Sequence, residues 1–246
     1  MINLHSNYTP PRDNGLDLIY RDDSLIAVNK PAGLLAVPGR GADKQDCLAS
    51  RMQAEFPDAL VVHRLDMATS GLLLFARGVE MQRRLSHLFR ERLVAKRYVA
   101  VVSGKLASVG IQCTPSLALP QRERGCWLPH GDDWNGGWSE IDLPLIGDWP
   151  NRPKQKVDAA SGKPSLTRYR LLAHDAGANT SRVELKPITG RTHQLRVHMA
   201  AIGHPIVGDA LYGVHQMGRL MLHACSLSFT HPLSGEMIDL SCKPPF

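Results

Sequence analysis

Residues 59–76 read Ala-Leu-Val-Val-His-Arg-Leu-Asp-Met-Ala-Thr-Ser-Gly-Leu-Leu-Leu-Phe-Ala. Two short apolar runs enclose a polar segment, and each run has the length of a buried strand. Gly71, just before the second run, permits a tight turn into it. The polar segment therefore holds one acid, Asp66, and one base, Arg64, between two packed elements. Charged groups at the mouth of a core need partners, and catalytic groups tend to be held in such places.

By itself, an Arg-Leu-Asp triplet is more often a surface ion pair, or a turn in which the Asp accepts backbone N–H bonds. The complete string narrows the interpretation. His63-Arg64-Leu65-Asp66, followed two residues later by Thr69-Ser70-Gly71-Leu72-Leu73, resembles the signature of the RluA family of pseudouridine synthases. The resemblance implies that Asp66 is the catalytic residue.

A second string, Gly190-Arg191-Thr192-His193-Gln194-Leu195-Arg196-Val197-His198, resembles the other signature of this family. On its own, such a cluster is either a basic surface or an anion site, and Thr192 fits the N-cap of a helix. The two histidines suggest a metal site, but the sequence shows no third ligand. The resemblance implies that Arg196 pairs with Asp66, and such a pairing keeps a carboxylate ionised.

Tyr98 stands near the start of an apolar strand predicted over residues 96–102, where a tyrosine is usually a core or cross-strand residue. The resemblance implies instead that Tyr98 stacks on the target base, which is how proteins commonly hold an unstacked base. It also implies that Arg64 enters the RNA stack in place of the flipped base, or binds a phosphate. His63, Arg191 and His193 are expected to support RNA binding or the catalytic group.

The resemblance further implies an α+β fold, a mixed and largely antiparallel sheet flanked by helices and loops with an RNA-binding cleft across its middle. We expect an N-terminal arm over residues 1–17, a catalytic domain over 18–246 and an insertion at 105–140. Apolar periodicity and turn residues predict strands over 18–20, 25–29, 166–172 and 182–186, and helices over 47–55 and 78–92. The proline-rich stretch 143–157 is predicted to be a loop.

The charge balance mildly favours a polyanionic partner. The chain has 246 residues and a formal charge of +6, which is also an ordinary charge for solubility. Its 5 cysteines are dispersed without a Cys-x-x-Cys pair, which fits a reduced compartment better than a disulfide framework or a zinc knuckle. The first residues lack an apolar signal core and no run approaches membrane-spanning length, so we expect a cytoplasmic protein without a membrane partner.

Pseudouridine formation breaks the carbon–nitrogen glycosidic bond, rotates the uracil and joins the ribose to carbon 5. The reaction involves no net redox change or hydrolysis, so we expect no cofactor and no metal, and the sequence shows no Rossmann, Walker or zinc motif. One carboxylate can form a covalent intermediate or abstract a ribose proton, and the sequence leaves both routes open. Two alternatives stay open: a non-catalytic RNA-binding protein, and a nucleoside or glycoside hydrolase that uses a second acid and water.

The substrate class is suggested by one further segment. Residues 148–157, Asp-Trp-Pro-Asn-Arg-Pro-Lys-Gln-Lys-Val, resemble the dual-specificity type within this family. The resemblance implies RNA partners, namely tRNA anticodon stem-loops and/or large-subunit rRNA, and no DNA. A uridine in a stem must be flipped out before reaction, which costs less in a loop. We expect the enzyme to be a monomer.

Overall fold

The computed structural model of the chain describes residues 8–106, 137–213 and 218–246. The segment 107–136, which forms most of the expected insertion, lies outside the described residues. The chain divides into two compact units, one formed by Met1–Val99 with His215–Phe246 and the other by Ala100–Val214. The boundary falls within a single strand, and each unit is described separately below.

The strands and helices of the described residues have the following bounds. The strands are β1 (Leu18–Arg21), β2 (Leu25–Lys30), β3 (Ala59–Val61), β4 (Ser70–Arg77), β5 (Ala95–Ser103), β6 (Ser139–Asp142), β7 (Leu145–Gly147), β8 (Gln155–Val157), β9 (Leu166–Asp175), β10 (Thr180–Pro187), β11 (Leu222–Thr230) and β12 (Met237–Ser241). The α-helices are α1 (Leu48–Glu55), α2 (Val79–Arg90) and α3 (Gln194–Ala201).

The first unit is built on a mixed sheet with the strand order β1-β2-β4-β11-β5, in which β3 also pairs with β4 and β12 with β11. The pairs β1–β2, β2–β4, β3–β4 and β11–β12 are antiparallel, whereas β11 runs parallel to β4. The predicted α+β class with a mixed, largely antiparallel sheet is therefore confirmed.

The central strands β2 and β4 are buried on both faces, which explains their nearly continuous apolar sequences. On one face, Val28 and Phe75 pack with α1, in a cluster that includes Met52. On the other face, Leu74 packs with α2 through Leu85. The two apolar runs around the polar segment thus form the strands β3 and β4, as the sequence predicts, with β4 buried and β3 partly buried.

Gly71 is required where β4 passes β11. Its φ of +115° lies in the region that favours glycine, and a Cβ at this position would collide with the backbone of Ala224. The parallel register pairs these two residues, together with Ser70 and His223. The glycine in the signature therefore permits the close approach of two backbones at the first residues of β4.

The predicted helices of the first unit form close to the expected bounds. The side chain of Cys47 accepts a hydrogen bond from the amide of Ser50, and the Ser50 hydroxyl accepts one from the amide of Cys47. These two reciprocal bonds form a capping box at the first turn of α1. Along α2, Met81 and Leu85 are buried at helical spacing. None of the helices in the described ranges is long and apolar enough to cross a membrane.

The second unit contains the antiparallel strands β6, β9 and β10, in the order β10-β9-β6, and the two-stranded hairpin β7–β8. The prediction of a loop over residues 143–157 is wrong for residues 145–147 and 155–157, because strands of three residues are too short to show a periodicity. Helix α3 begins at Gln194 with His193 as its N-cap, so the prediction of Thr192 as the cap is wrong by one residue.

Candidate active site

The carboxylate of Asp66 lies in the connection between β3 and β4. The Asp66 carbonyl accepts a hydrogen bond from the amide of Thr69 at 3.1 Å, which closes a turn around the signature. Leu65 and Thr69, on either side of this turn, are buried. The turn is therefore anchored by its neighbours, while the Asp66 side chain stays partly exposed.

Lys30, the last residue of β2, is fully buried beneath this turn. Its ammonium donates hydrogen bonds to the carbonyls of Pro31 (2.8 Å), Leu34 (2.7 Å) and Met67 (3.0 Å). All three donors of the ammonium are thus used. Burial lowers the pKa of Lys30 to about 7, and the negative charge of Asp66 opposes this decrease. The sequence analysis did not identify Lys30 as a site residue, because a lysine at the end of an apolar strand reads as a surface residue.

Tyr98 lies on β5 and packs against the apolar cluster that contains Phe75. Burial raises the pKa of the Tyr98 phenol, and the negative charge of Asp66 raises it further. The phenol is therefore protonated at neutral pH. The first unit places the predicted stacking residue within electrostatic reach of the predicted catalytic carboxylate.

His63 links the signature to the core. Its Nε2 accepts a hydrogen bond from the amide of Leu74 at 3.0 Å, and its ring stacks on Phe89 with centroids 4.2 Å apart. Burial lowers the pKa of His63 to about 3, and the positive charge of Lys96 contributes. The ring is consequently neutral at pH 7 and ties β4 to α2. The neighbouring Arg64 is exposed.

Three polar side chains meet where β4 and β11 begin. The Arg219 guanidinium donates to the Ser70 hydroxyl at 2.6 Å, and that hydroxyl lies 2.9 Å from Nδ1 of His223. Burial lowers the pKa of His223 to about 4, so its ring is neutral. Since arginine only donates, Ser70 accepts from Arg219, and the direction of its hydrogen bond with His223 follows the tautomer of the imidazole ring. The Arg219 charge also lowers the pKa of Lys30, so this cluster lies close to the Asp66 turn.

In the second unit, the second signature folds into a buried hydrogen-bond network at the start of α3. The Gln194 side-chain oxygen accepts from the Thr189 hydroxyl (2.7 Å) and the Arg191 amide (3.0 Å). Its amide nitrogen donates to the Leu166 carbonyl (3.0 Å) and the Thr167 hydroxyl (3.0 Å). Each side-chain polar atom of Gln194 thus has two partners, which fixes the direction of the helix.

Arg196 forms a bidentate ion pair with Asp209, with both nitrogen–oxygen distances at 2.7 Å. Both side chains are buried. Burial alone would raise the pKa of Asp209, but the hydrogen bonds and charge of Arg196, together with the amides of Leu211 and Tyr212, hold the pKa below its ordinary value. The expected pairing of Arg196 with Asp66 stays a prediction, and the sequence analysis did not identify Asp209 as a partner.

His193 and Tyr212 extend this network. His193 adopts a left-handed backbone conformation with φ of +53°, which is uncommon outside glycine. Its Nδ1 lies 2.8 Å from the Tyr212 hydroxyl, and that hydroxyl accepts from the amide of Gln155 at 2.7 Å. The guanidinium of Arg196 lies over the Tyr212 ring, 5.2 Å from its centroid. The first residue of β8 is thereby tied to the predicted RNA-binding residues of α3.

The contacts of His198 bear on the possible metal site at His193 and His198. The two ring nitrogens of His198 lie 2.9 Å from the Thr167 hydroxyl and 3.0 Å from the Leu143 carbonyl. Within the ranges that the structure describes, no three His, Cys, Asp or Glu side chains are grouped so as to hold a metal ion. His198 is thus a buried structural residue, and burial lowers its pKa to about 4.

The predicted site residues are divided between the two units. The first holds His63, Arg64, Asp66 and Tyr98, and the second holds Arg191, His193 and Arg196. The Arg191 guanidinium is partly exposed and lies 3.4 Å from the Pro164 carbonyl.

Comparison with known proteins identifies the family. A family model described as RNA pseudouridylate synthase matches residues 24–201. The dual-specificity RNA pseudouridine synthase RluA of Escherichia coli K12 is 44% identical over 244 residues, covering 98% of this chain and 98% of that protein. RluA of Vibrio parahaemolyticus is 46% identical over 234 residues, covering 92% of this chain and 82% of the relative.

Two solved structures are similar in fold. Human RNA pseudouridylate synthase domain containing 1 has a TM-score of 0.70 and 30% identity, and the match covers 97% of this chain and 87% of that one. Human RNA pseudouridylate synthase domain containing 4 has a TM-score of 0.65 at 23% identity, covering 93% and 88%, which supports the fold alone. The family model, the nearly full-length relatives and the shared fold agree: the chain belongs to the RNA pseudouridylate synthase family and is an RNA pseudouridine synthase.

Proposed function

We propose that Asp66 is the catalytic carboxylate of this synthase, acting on uridines in tRNA anticodon stem-loops and/or large-subunit rRNA. The observation that carries the proposal is the setting of Asp66. Its carboxylate lies on an anchored turn, within electrostatic reach of the buried Lys30 ammonium and the Tyr98 phenol. A positioned carboxylate beside a cation and an aromatic ring fits chemistry on a flipped pyrimidine nucleoside.

The reaction needs one carboxylate and a site that retains the detached uracil. The bond between N1 and C1′ breaks, the base turns, and a bond between C5 and C1′ forms. The hydrogen on C5 leaves as a proton and N1 takes up a proton, so the product is an isomer of uridine. Asp66 either attacks the ribose or removes a ribose proton, and both routes require an anionic oxygen at a fixed position. The hydrogen bond from Lys30 to the Met67 carbonyl, one residue from Asp66, supplies that fixation.

The other residues take roles around this carboxylate. Tyr98 stacks on the extruded uracil, and Arg64, which is exposed, replaces the flipped base in the RNA stack or binds a phosphate. Arg196 pairs with Asp66 as well as with Asp209, holding the carboxylate in place. His63 acts through the position of β4, because its ring is neutral and its Nε2 is engaged by the Leu74 amide.

Arg191 and His193 support the RNA from the first turn of α3. Arg191 is partly exposed, which leaves its guanidinium accessible to a phosphate. His193 is held by Tyr212, so it supports the geometry of this turn.

The RNA targets follow from the relatives and from one segment of this chain. The RluA proteins of Escherichia coli and Vibrio parahaemolyticus are dual-specificity RNA pseudouridine synthases. Residues 148–157 of this chain also resemble the dual-specificity type. We place the enzyme in the cytoplasm, because its dispersed cysteines suit a reduced compartment. We also propose that it acts as a monomer.

Tritium release from RNA labelled at carbon 5 of uridine tests the proposal, with tRNA and rRNA stem-loops assayed separately. We expect Asp66→Asn to lower the rate by roughly 10²- to 10⁴-fold or more, with RNA binding retained. Asp23→Asn, a change at an exposed carboxylate of the same unit, serves as the matched control and keeps the wild-type rate.

Each outcome separates the alternatives. Pseudouridine in digested wild-type product and none from Asp66→Asn supports the proposal. Free uracil in place of pseudouridine would instead identify a hydrolase. Intact RNA binding by both proteins without release from either RNA would identify a non-catalytic RNA-binding protein.

A further inference from the structure

The connection between β7 and β8, residues 148–154, exposes an unusual side chain. Trp149 is 69% exposed, more than any other large hydrophobic residue in the described ranges. Tryptophan is rarely left in water without a use, and it is enriched where proteins contact partners. Trp149 therefore does not serve as a core anchor of this hairpin.

Arg152 lies directly against the indole. Its guanidinium carbon is 3.2 Å from the Trp149 ring centroid, which is the geometry of a cation stacked on an aromatic face. In the described part of the chain, neither Arg152 nor the nearby Lys154 has a carboxylate within 4.0 Å. The connection between β7 and β8 thus presents a large aromatic surface beside two positive charges, neither of which forms an ion pair with an acid of the described residues.

The connection is held in shape by its own hydrogen bonds. The Asp148 amide donates to the Lys154 carbonyl at 2.9 Å, and the Lys154 amide donates to the Asn151 carbonyl at 3.0 Å. The Asn151 side chain donates to the Asp148 carboxylate at 2.9 Å. Trp149 and Arg152 consequently project from a connection whose backbone is already ordered, which lowers the entropic cost of binding.

The connection between β7 and β8 is also linked to the predicted RNA-binding residues of its own unit. Gln155, the first residue of β8, donates its amide hydrogen bond to Tyr212, and Tyr212 contacts both His193 and Arg196. An RNA contact made by Trp149 or Arg152 is therefore made from a segment that is hydrogen-bonded to the start of α3.

We propose that Trp149 and Arg152 form a stacking platform for an unpaired nucleobase of the RNA substrate, one other than the uridine that reacts. Every nucleobase has a face that stacks on an aromatic ring or a guanidinium plane, and Arg152 and Lys154 are available for the flanking phosphates. The platform supports affinity and register without taking part in the chemistry. This inference rests on the proposed function, because it assumes a stem-loop RNA as substrate.

The test compares the KM and kcat of tritium release for Trp149→Ala, Trp149→Phe and the wild type on one stem-loop. We expect Trp149→Ala to raise KM by about 5- to 150-fold with kcat within twofold, and Trp149→Phe to restore most of the affinity. Arg152→Gln should raise KM by a smaller factor. Leu233→Ala, which shortens another exposed hydrophobic residue (60% exposed), is the matched control with unchanged KM.

Abasic substitutions in the RNA loop identify the base that stacks. One abasic position should raise the wild-type KM and add nothing to the KM of Trp149→Ala, as expected for two halves of one contact. An unchanged KM in folded Trp149→Ala, or independent effects of the protein change and every abasic position, would overturn the platform. Failure of the wild type to form pseudouridine would instead contradict the proposed function.

Discussion

The ammonium of Lys30 donates a hydrogen bond to the carbonyl of Met67, the residue that follows Asp66. The same carbonyl accepts the amide of Gly33 at 2.8 Å. Lys30, the last residue of β2, and Gly33 therefore converge on a single backbone oxygen of the turn that carries Asp66. The Lys-Pro-Ala-Gly segment at residues 30–33 thus fixes this turn, although it is far from Asp66 in sequence.

Lys30→Met should lower both stability and activity. It removes the donor to three carbonyls, of which that of Met67 keeps the Gly33 amide as a partner. The carbonyls of Pro31 and Leu34 lose this donor, and each buried polar group without a partner costs about 1–3 kcal/mol, so we expect the free energy of unfolding to fall by about 2 kcal/mol or more. Urea unfolding measures this loss, and tritium release measures the accompanying decrease in kcat. Lys243→Met, at an exposed lysine of the same unit, is the control. Equal unfolding free energies for the two variants would contradict a structural role for the buried ammonium.

Tyr98 can be tested by separating its ring from its hydroxyl. If the ring stacks on uracil, Tyr98→Leu should lower kcat/KM by about 5- to 150-fold, whereas Tyr98→Phe keeps the stacking surface and should lose much less. Thermal unfolding of both variants checks that the partly buried side chain has not disturbed the core. Similar losses in the two variants would assign the role to the hydroxyl rather than to the ring.

Breaking the buried ion pair of Arg196 and Asp209 should lower the free energy of unfolding far more than breaking an exposed ion pair. Asp209→Asn leaves a buried guanidinium facing a neutral amide, and breaking such a pair costs about 3–5 kcal/mol. Asp58→Asn removes the partner of Arg77 in a pair with a 3.0 Å separation and a 45% exposed carboxylate, where about 1 kcal/mol or less is expected. Urea unfolding compares the two losses directly, and comparable values would show that Asp209 does not depend on its charge.

Three histidines with lowered pKa values predict sensitivity to mild acid. Burial lowers the pKa of His63 from 6.5 to about 3, and those of His198 and His223 from 6.5 to about 4. Below pH 6.5 the unfolded chain therefore binds protons that the folded chain does not, so the free energy of unfolding falls as pH decreases toward 4. The slope approaches about 1.4 kcal/mol per pH unit for each histidine.

Urea unfolding at pH 7, 6 and 5 measures this slope. The window lies above the ordinary pKa of 3.8 for aspartate, so Asp209, whose pKa is lowered further, contributes little to it. A His198→Gln variant should show a visibly shallower slope. A flat profile between pH 7 and 5 would mean that the histidines are protonated in the folded enzyme.

The local pattern of apolar residues was sufficient to predict the strands and helices in which that pattern is long or regular. The apolar runs around Asp66 became β3 and β4, and the helical spacing of Met81 and Leu85 became the buried face of α2. The short strands β7 and β8 were missed, because three residues are too few to show a periodicity.

Partners set by packing were not visible in the sequence. Asp209 lies 13 positions from Arg196, and nothing local indicates that their side chains meet. Lys30 reads as a surface residue, since lysine is almost never fully buried without partners. Its burial became clear only once three carbonyls were seen to surround it.

The parallel pairing of β4 with β11 has a consequence for synthesis on the ribosome. β4 ends at Arg77, whereas β11 begins at Leu222, close to the end of the chain. At about 5–20 residues per second, the nascent chain carries β4 without this neighbour for on the order of ten seconds. During that time the beginning of β4, where Ser70 and Gly71 pair with β11, resembles the exposed strand edges that promote aggregation, and a chain halted before β11 cannot complete its first unit. Chaperones that shield nascent chains therefore have a defined interval in which to act on this enzyme.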